Sequence, residues 1–448
     1  MPSWTIPWQR GPLEVALPDD LTHVIRRPEL PTLGTPLDLV ERALASPIGC
    51  PPLEEQVRPG DRVALLVTDN QDRTLGQEGV GQYLLDRLNR AGVPDRNVTL
   101  IHAAGMHGHA RARQKLGDSL LARVKYVEHD PIDPRENRYL GVTRLGTPVW
   151  VNRHVADADF VMGVGGCTPS LYGFQGGAGI ICPGVSARDT IRQNHARIMS
   201  TRTSATWALG NPMREDVMDV GDLARLQLKI DFAGNTVFAG YFRQEWPVAV
   251  DYVQRNVMTP VEPADLYVFA PGRQSSLQAM YMQIEFAEIA TREGGAVIAV
   301  IGASDHRPLS ARPLAETLRE FEYVTEQWCK STDEPGPVDA YWHARDAVCK
   351  TELLAYPLEE ISRVVTRMLG EPRSTTHVWS HRRCIERRHT ILVSEGVPPA
   401  DGLRMGFRAV TDSFEEALRQ ALEVVGSSPR IIASMPPDNG TPFVAAHS

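Results

Sequence analysis

Three stretches of the sequence set groups able to move protons, grip anions or ligate a metal beside loop-forming residues. AAGMHGHA places His107 and His109 directly after an apolar run. Imidazole titrates near neutrality, so a histidine at a strand's end is suited to general acid/base work; a surface histidine would read the same way. TDNQDR ends another apolar run with Asp69, Asp72 and Arg73. Arg73 can hold a carboxylate in a bidentate fork, or close a salt bridge within the loop. TIRQNH sets His195 in a helical pattern, where a neutral imidazole can bind a transition metal or simply pack. The densest signal is GFQGGAGIICPGV, with Gly173, Gly176, Gly177, Gly179 and Gly184. Each glycine costs a helix or strand about 0.5–1 kcal/mol, so this is a loop. Glycine loops bring backbone N–H groups close to phosphates, yet neither G-x-x-x-x-G-K-[ST] nor G-x-G-x-x-G is present. A structural loop and an anion-binding loop both fit.

The elements that must position these groups follow an α/β rhythm. RVALLVTD (62–69), NVTLIHAAG (97–105) and DFVMGVGG (159–166) are apolar runs of strand length, and the amphipathic VGQYLLDRLNRAG lies between the first two. A second set follows: DLYVFAPG (265–272), the helical SLQAMYMQIEFAEIATREGG, GAVIAVIGA (295–303), HTILVSEG, SFEEALRQALEVVG and PRIIASM. Strands alternating with helices predict parallel, helix-covered sheets. We therefore expect an α/β fold of two Rossmann-like domains, 1–260 carrying the loops described above and 261–448 completing a cleft. Ligands of such sheets collect at the carboxyl ends of the strands, where the unusual loops lie.

The 448 residues, 42% hydrophobic and 23% charged with a net charge of −8, describe an ordinary globular chain. The one basic cluster, HRRCIERRH (381–389), is too short to argue for nucleic acid or an anionic membrane. No run reaches the roughly 18 apolar residues of a membrane helix, and the N-terminal stretch lacks the pattern of a secretory signal. The six cysteines match no zinc-finger spacing and read as buried thiols. A cytoplasmic protein without nucleic-acid or membrane partners is the expectation; oligomeric state is not legible.

Together the loops carry a resemblance. VGG…GFQGGAG…PGVSARDTIRQNH resembles the signature region of the nickel-pincer nucleotide-dependent lactate racemase family, which reads roughly H-x-x-A-G-F-S-G-G-x-K-x-x-x-P-G followed by T-I-x-x-N-H. AAGMHGH is similar to the family's A-T-G-x-H-R-P and TDNQDR to its S-D-x-T-R-P. The resemblance spans nearly the whole chain. It implies a racemase or epimerase of a 2-hydroxy acid. The cofactor it implies is a nicotinic-acid-derived mononucleotide whose nickel is held by one ring carbon, two sulfurs and a histidine. By position, His195 is the nickel ligand and His107 an acid/base group. Arg73 clamps the substrate carboxylate if one residue is inserted in its loop. Asp69, Gln175, Gly176, Gly177, Ala178 and Gly179 line the cofactor, and Gln278 and Tyr281 reach the substrate from the second domain.

The departures are as informative. The family's second acid/base histidine falls on Pro169, which cannot transfer a proton. Its cofactor-tethering lysine falls on Gly179, which excludes a covalent link there. A non-covalently held pincer cofactor acting on a larger substrate such as a sugar acid is the first reading, with Tyr172, His109 and Tyr281 as candidates for the missing proton donor. A mononucleotide redox enzyme without nickel and a non-catalytic ligand-binding paralogue are the alternatives.

Overall fold

A computed structural model describes residues 1–109, 111–199, 205–330, 337–367 and 373–444. Two six-stranded sheets organise them. The first runs Thr236–Gly240, Leu226–Ala233, Phe160–Gly166, Val63–Val67, Val98–His102, Lys125–Glu128 from edge to edge, all parallel except the antiparallel Thr236–Gly240 edge. The second runs Ala409–Thr411, Thr390–Val393, Thr291–Val300, Ala264–Phe269, Ile431–Ser434, Thr22–Val24, and is wholly parallel.

Side chains alternate across each strand, which explains why the apolar runs of the sequence are continuous. Val63, Leu65 and Val67 pack with Val40, Leu84 and Leu88 of the helices Pro36–Ala45 and Val80–Arg90. Ala64 and Leu66 face Val217, Phe242 and Trp246 of Pro212–Leu223 and Phe242–Asn256. A strand buried on both faces has no polar side to show. The helix Pro36–Ala45 starts where its sequence dictates: the Thr35 side chain accepts from Asp38 N–H, and the Asp38 carboxylate accepts from Thr35 N–H.

Two features depart from the sequence reading. The first 25 residues sit with the second sheet: Thr22–Val24 pairs in parallel with Ile431–Ser434, and Ile6, Val15 and Leu17 cover Leu266, Val268 and Ile298. An apolar hairpin does not encode which of two sheets it will cover. The long helical pattern after Ser276 also stops early, at Tyr281–Ala290, and its TREGG tail begins the strand Thr291–Val300. No helix among the described residues is long and apolar enough to cross a membrane.

Candidate active site

From Val63–Val67 the first sheet's connections run one way, to Val98–His102 and Lys125–Glu128; from Phe160–Gly166 they run the other way. Between these two strands lies the topological switch point, the usual place for a ligand crevice in such a sheet. A cavity of about 280 Å³ opens there, lined by Thr68, Asp69 and Asn70, by His107, by Gly165 and Gly166, and by the glycine-rich loop. His195, Lys229 and Arg214 complete the first-domain wall; Met282 and His377 close it from the second domain. His107 and His195, 88 residues apart in sequence, thus face one cavity.

His107 is oriented by Asp69, whose Oδ2 lies 3.0 Å from its Nδ1, and its ring lies 5.6 Å from that of Trp328. With Nδ1 donating to the carboxylate, the neutral ring carries its basic lone pair on Nε2. His109, two residues on, is driven inward instead. Its Nδ1 is 2.7 Å from His102 Nδ1 and its Nε2 3.0 Å from the His129 carbonyl oxygen. His129 Nε2 in turn lies 2.9 Å from the Ser186 carbonyl oxygen. This buried run pins the loop that presents His107.

His195 ends the helix Arg188–His195 and is buried. The Asn194 amide donates to Asp216 Oδ2 at 2.8 Å and to the Met213 carbonyl at 3.0 Å. That fixes its oxygen toward His195 Nδ1, 3.2 Å away. His195 then donates from Nδ1 and carries its lone pair on Nε2, the arrangement that prepares an imidazole to ligate a metal.

The glycine loop is clamped from behind. Gly177 N–H donates to Asp231 Oδ2 at 2.6 Å, Arg214 donates to the Gly176 carbonyl at 2.9 Å, and Trp246 Nε1 to the Gln175 carbonyl at 2.9 Å. Gly176 and Gly177 have φ of +90° and +54°. A Cβ on Gly176 would come within 2.8 Å of Asp231, and one on Gly177 within 2.9 Å of Trp246, so no other residue fits this turn. Behind the loop, fully buried Lys229 donates to Asp231. Burial, reinforced by Asp231, pushes the Glu245 carboxyl well above the usual carboxylate range. Burial also brings the Arg214 guanidinium down to about 10, still a cation at neutral pH.

Of the remaining residues expected from sequence, Arg73, Gln278 and Tyr281 fall outside this cavity. Arg73 is exposed on the short helix Asp72–Gly76. Its neighbour Asp72 is buried, 3.0 Å from His102 Nε2 and 3.3 Å from Lys115 Nζ. Gln278 lines a separate cavity with Arg273, His306 and Glu352. Tyr281 is buried and stacked on His381. Ala178 and Gly177 lie beneath the loop's surface, whereas Gly176, Gly179 and Gln175 line the cavity. Of the candidate proton donors, Tyr172 is in the cavity wall, its ring 4.4 Å from His195 and 4.7 Å from His377. His109 and Tyr281 are not.

Sequence reasoning missed Lys229, Asp231, Arg214 and His377. Lys229 and Asp231 sit two apart in LQLKIDFA and so share one face of a strand, the single signal that a strand face had turned polar.

The buried histidines make stability pH-dependent. Burial lowers His109 and His377 to about 3 and His129 to about 4, from an ordinary 6.5. Below pH 6.5 the unfolded chain binds protons that the folded chain refuses, so stability present above that pH drains away toward pH 4. At pH 5 each site is expected to cost about 2 kcal/mol. Thermal midpoints measured from pH 7.5 to 5 should fall steeply; a flat profile would show that these rings titrate normally.

Fold and site describe an α/β protein of two parallel-dominated sheets, with His107 and His195 in one cavity beside a glycine loop. The comparisons bear on the fold. Residues 8–207 match the lactate racemase N-terminal domain. Lactate racemase of Thermoanaerobacterium thermosaccharolyticum is 24% identical over 67% of this chain and 74% of its own. That of Lactiplantibacillus plantarum is 26% identical over 60% of this chain and 66% of its own. The fold superposes on the Thermoanaerobacterium lactate racemase apoprotein with a TM-score of 0.75, 19% identity and 99% of the chain covered. Residues 8–207 thus resemble the lactate racemase N-terminal domain, and the chain as a whole shares the fold of that apoprotein.

Proposed function

We propose that the protein is an isomerase, a racemase or epimerase of a 2-hydroxy acid, using a nickel-pincer nucleotide held without a covalent bond. The observation that carries this reading is the convergence of His107, His195 and the glycine loop on one cavity. The residues fit such a group. His195 is held in the metal-binding tautomer by Asn194. Arg214, beside the Lys229–Asp231 ion pair, provides buried positive charge toward a phosphate, and a side chain at Gly179 would meet only Arg214 at 3.6 Å, so the wall there is open to a ligand. When bound, the cofactor supplies a ring that accepts and returns hydride.

The chain's own groups handle the protons. His107, with Nδ1 tied to Asp69, takes the substrate hydroxyl proton at Nε2 and returns it. His377 supplies the second imidazole that Pro169 cannot. It lies in the same cavity wall, and its Nε2 has no hydrogen-bond partner among the described residues. Burial, and after it the neighbouring His107 imidazole, lowers its basicity. Leu171, Phe174 and Met282 exclude water from the reacting centre. Thr68 and Asn70 give the cavity hydrogen-bonding groups for further hydroxyls, which favours a sugar acid over lactate.

Co-production with the cofactor-building enzymes should give about one nickel per chain; a metal-free chain carrying nucleotide absorbance would favour a redox role without nickel. Denaturing mass spectrometry of the loaded protein should return the bare chain mass. An adduct mapped to Lys229, the lysine in the cavity wall, would show that the tether has moved there.

A further inference from the structure

A second cluster of ligating side chains lies outside the cleft, between the helices Tyr281–Ala290 and Arg373–Arg387. Glu285 and Glu288 are three apart on the first helix, His381 and Cys384 three apart on the second, so each pair occupies one face of its helix. All four are buried, none more than 3% exposed. Ligand atoms of Glu285, Glu288 and Cys384 lie within 4.8 Å of one another. Cys384 Sγ is 2.8 Å from Glu288 Oε2 and 3.5 Å from Glu285 Oε2. Two ligands of one zinc ion, at bonds of about 2.0–2.3 Å, stand roughly 3.3–3.8 Å apart.

A fourth buried donor borders this group, on the other oxygen of Glu285. His381 is 2% exposed, and neither ring nitrogen has a hydrogen-bond partner among the described residues. Its Nε2 lies 3.9 Å from Glu285 Oε1, while its ring is stacked at 4.4 Å on Tyr281, which fixes that direction. A buried imidazole left without partners on both sides is costly unless something else takes its lone pair. We propose that Glu285, Glu288, His381 and Cys384 form a structural site for one divalent transition metal of the zinc class, joining the two helices. Two carboxylates, a neutral imidazole and a thiol are donors that suit such an ion. Binding releases the Cys384 proton to solvent, and the thiolate with two carboxylates then carries one negative charge more than the ion neutralises. Arg383, whose Nη2 is 3.4 Å from Glu288 Oε2, balances it. Arg387 lies at 3.7 Å from the other oxygen of Glu288.

The test uses the full chain produced without added zinc, then titrated with zinc or with cobalt(II) as a spectroscopic probe. Expected are about one zinc per chain, a raised thermal midpoint, and thiolate-to-cobalt charge-transfer absorption. His195→Ala should keep all three, which separates this site from the cleft. Cys384→Ser should lose the absorption and the midpoint shift, and His381→Asn should weaken zinc binding at least 10-fold. A parent chain that takes up no zinc and shows no shift overturns the proposal on its own, whatever the variants do. So does a cobalt spectrum unchanged by Cys384→Ser.

Discussion

Under the proposed function, His195→Ala is expected to bind no nickel while keeping its fold. Replacing a residue that merely orients a metal ligand typically costs 10–100-fold in affinity, so deleting the ligand itself should cost at least about 10²-fold. The variant should therefore leave gel filtration without nickel and without racemase activity. Its circular dichroism should match the parent, because the imidazole caps no core element and its lost packing is against the Tyr172 ring. Nickel content equal to the parent would remove His195 from the ligand set. Asn194→Asp provides a graded companion: the amide that orders His195 Nδ1 would become a carboxylate beside Asp216, and nickel affinity should fall without disappearing.

Removing either cavity imidazole is the second large effect. His107→Ala and His377→Ala are each expected to lower turnover by about 10²-fold or more, the usual contribution of a positioned acid/base group. Substrate binding should change much less, because neither ring is the main source of binding energy in this reading. Asp69→Asn should act through His107 and give a smaller loss, since the imidazole survives but its Nδ1 loses its carboxylate partner. Turnover near the parent in His107→Ala would refute its role. The same result in His377→Ala would make that ring a wall of the cavity and send the second proton by another route, of which Tyr172 is the nearest.

The local signals in the sequence proved dependable where the physics is local. VALLV, VTLIH and FVMGVGG had to be strands, because a run buried on both faces of a parallel sheet has no polar alternation, and each is one. Gly176 and Gly177 had to form a turn, since their positive φ and the atoms crowding them admit no side chain. His107 and His195 were legible because a histidine beside glycine at a strand's end, or following T-I-x-x-N, reads in a short window. Arg73 shows the limit of that method. One step along a helical turn exchanges Arg73 for Asp72, and the fold buries Asp72 against His102 while leaving Arg73 in solvent.

The chain's own sequence thus determined the α/β rhythm, the glycine turn and two imidazoles, because each depends on neighbours a few residues away. Only the tertiary structure decided that Lys229, Arg214 and His377 belong to the same cavity, and that HRRC on Arg373–Arg387 faces inward to Glu285 and Glu288. Those placements depend on which sheet face and which helix pair close over each other. Burial of a charge is affordable only when its partner arrives from elsewhere in the chain, and a linear sequence does not record that arrival.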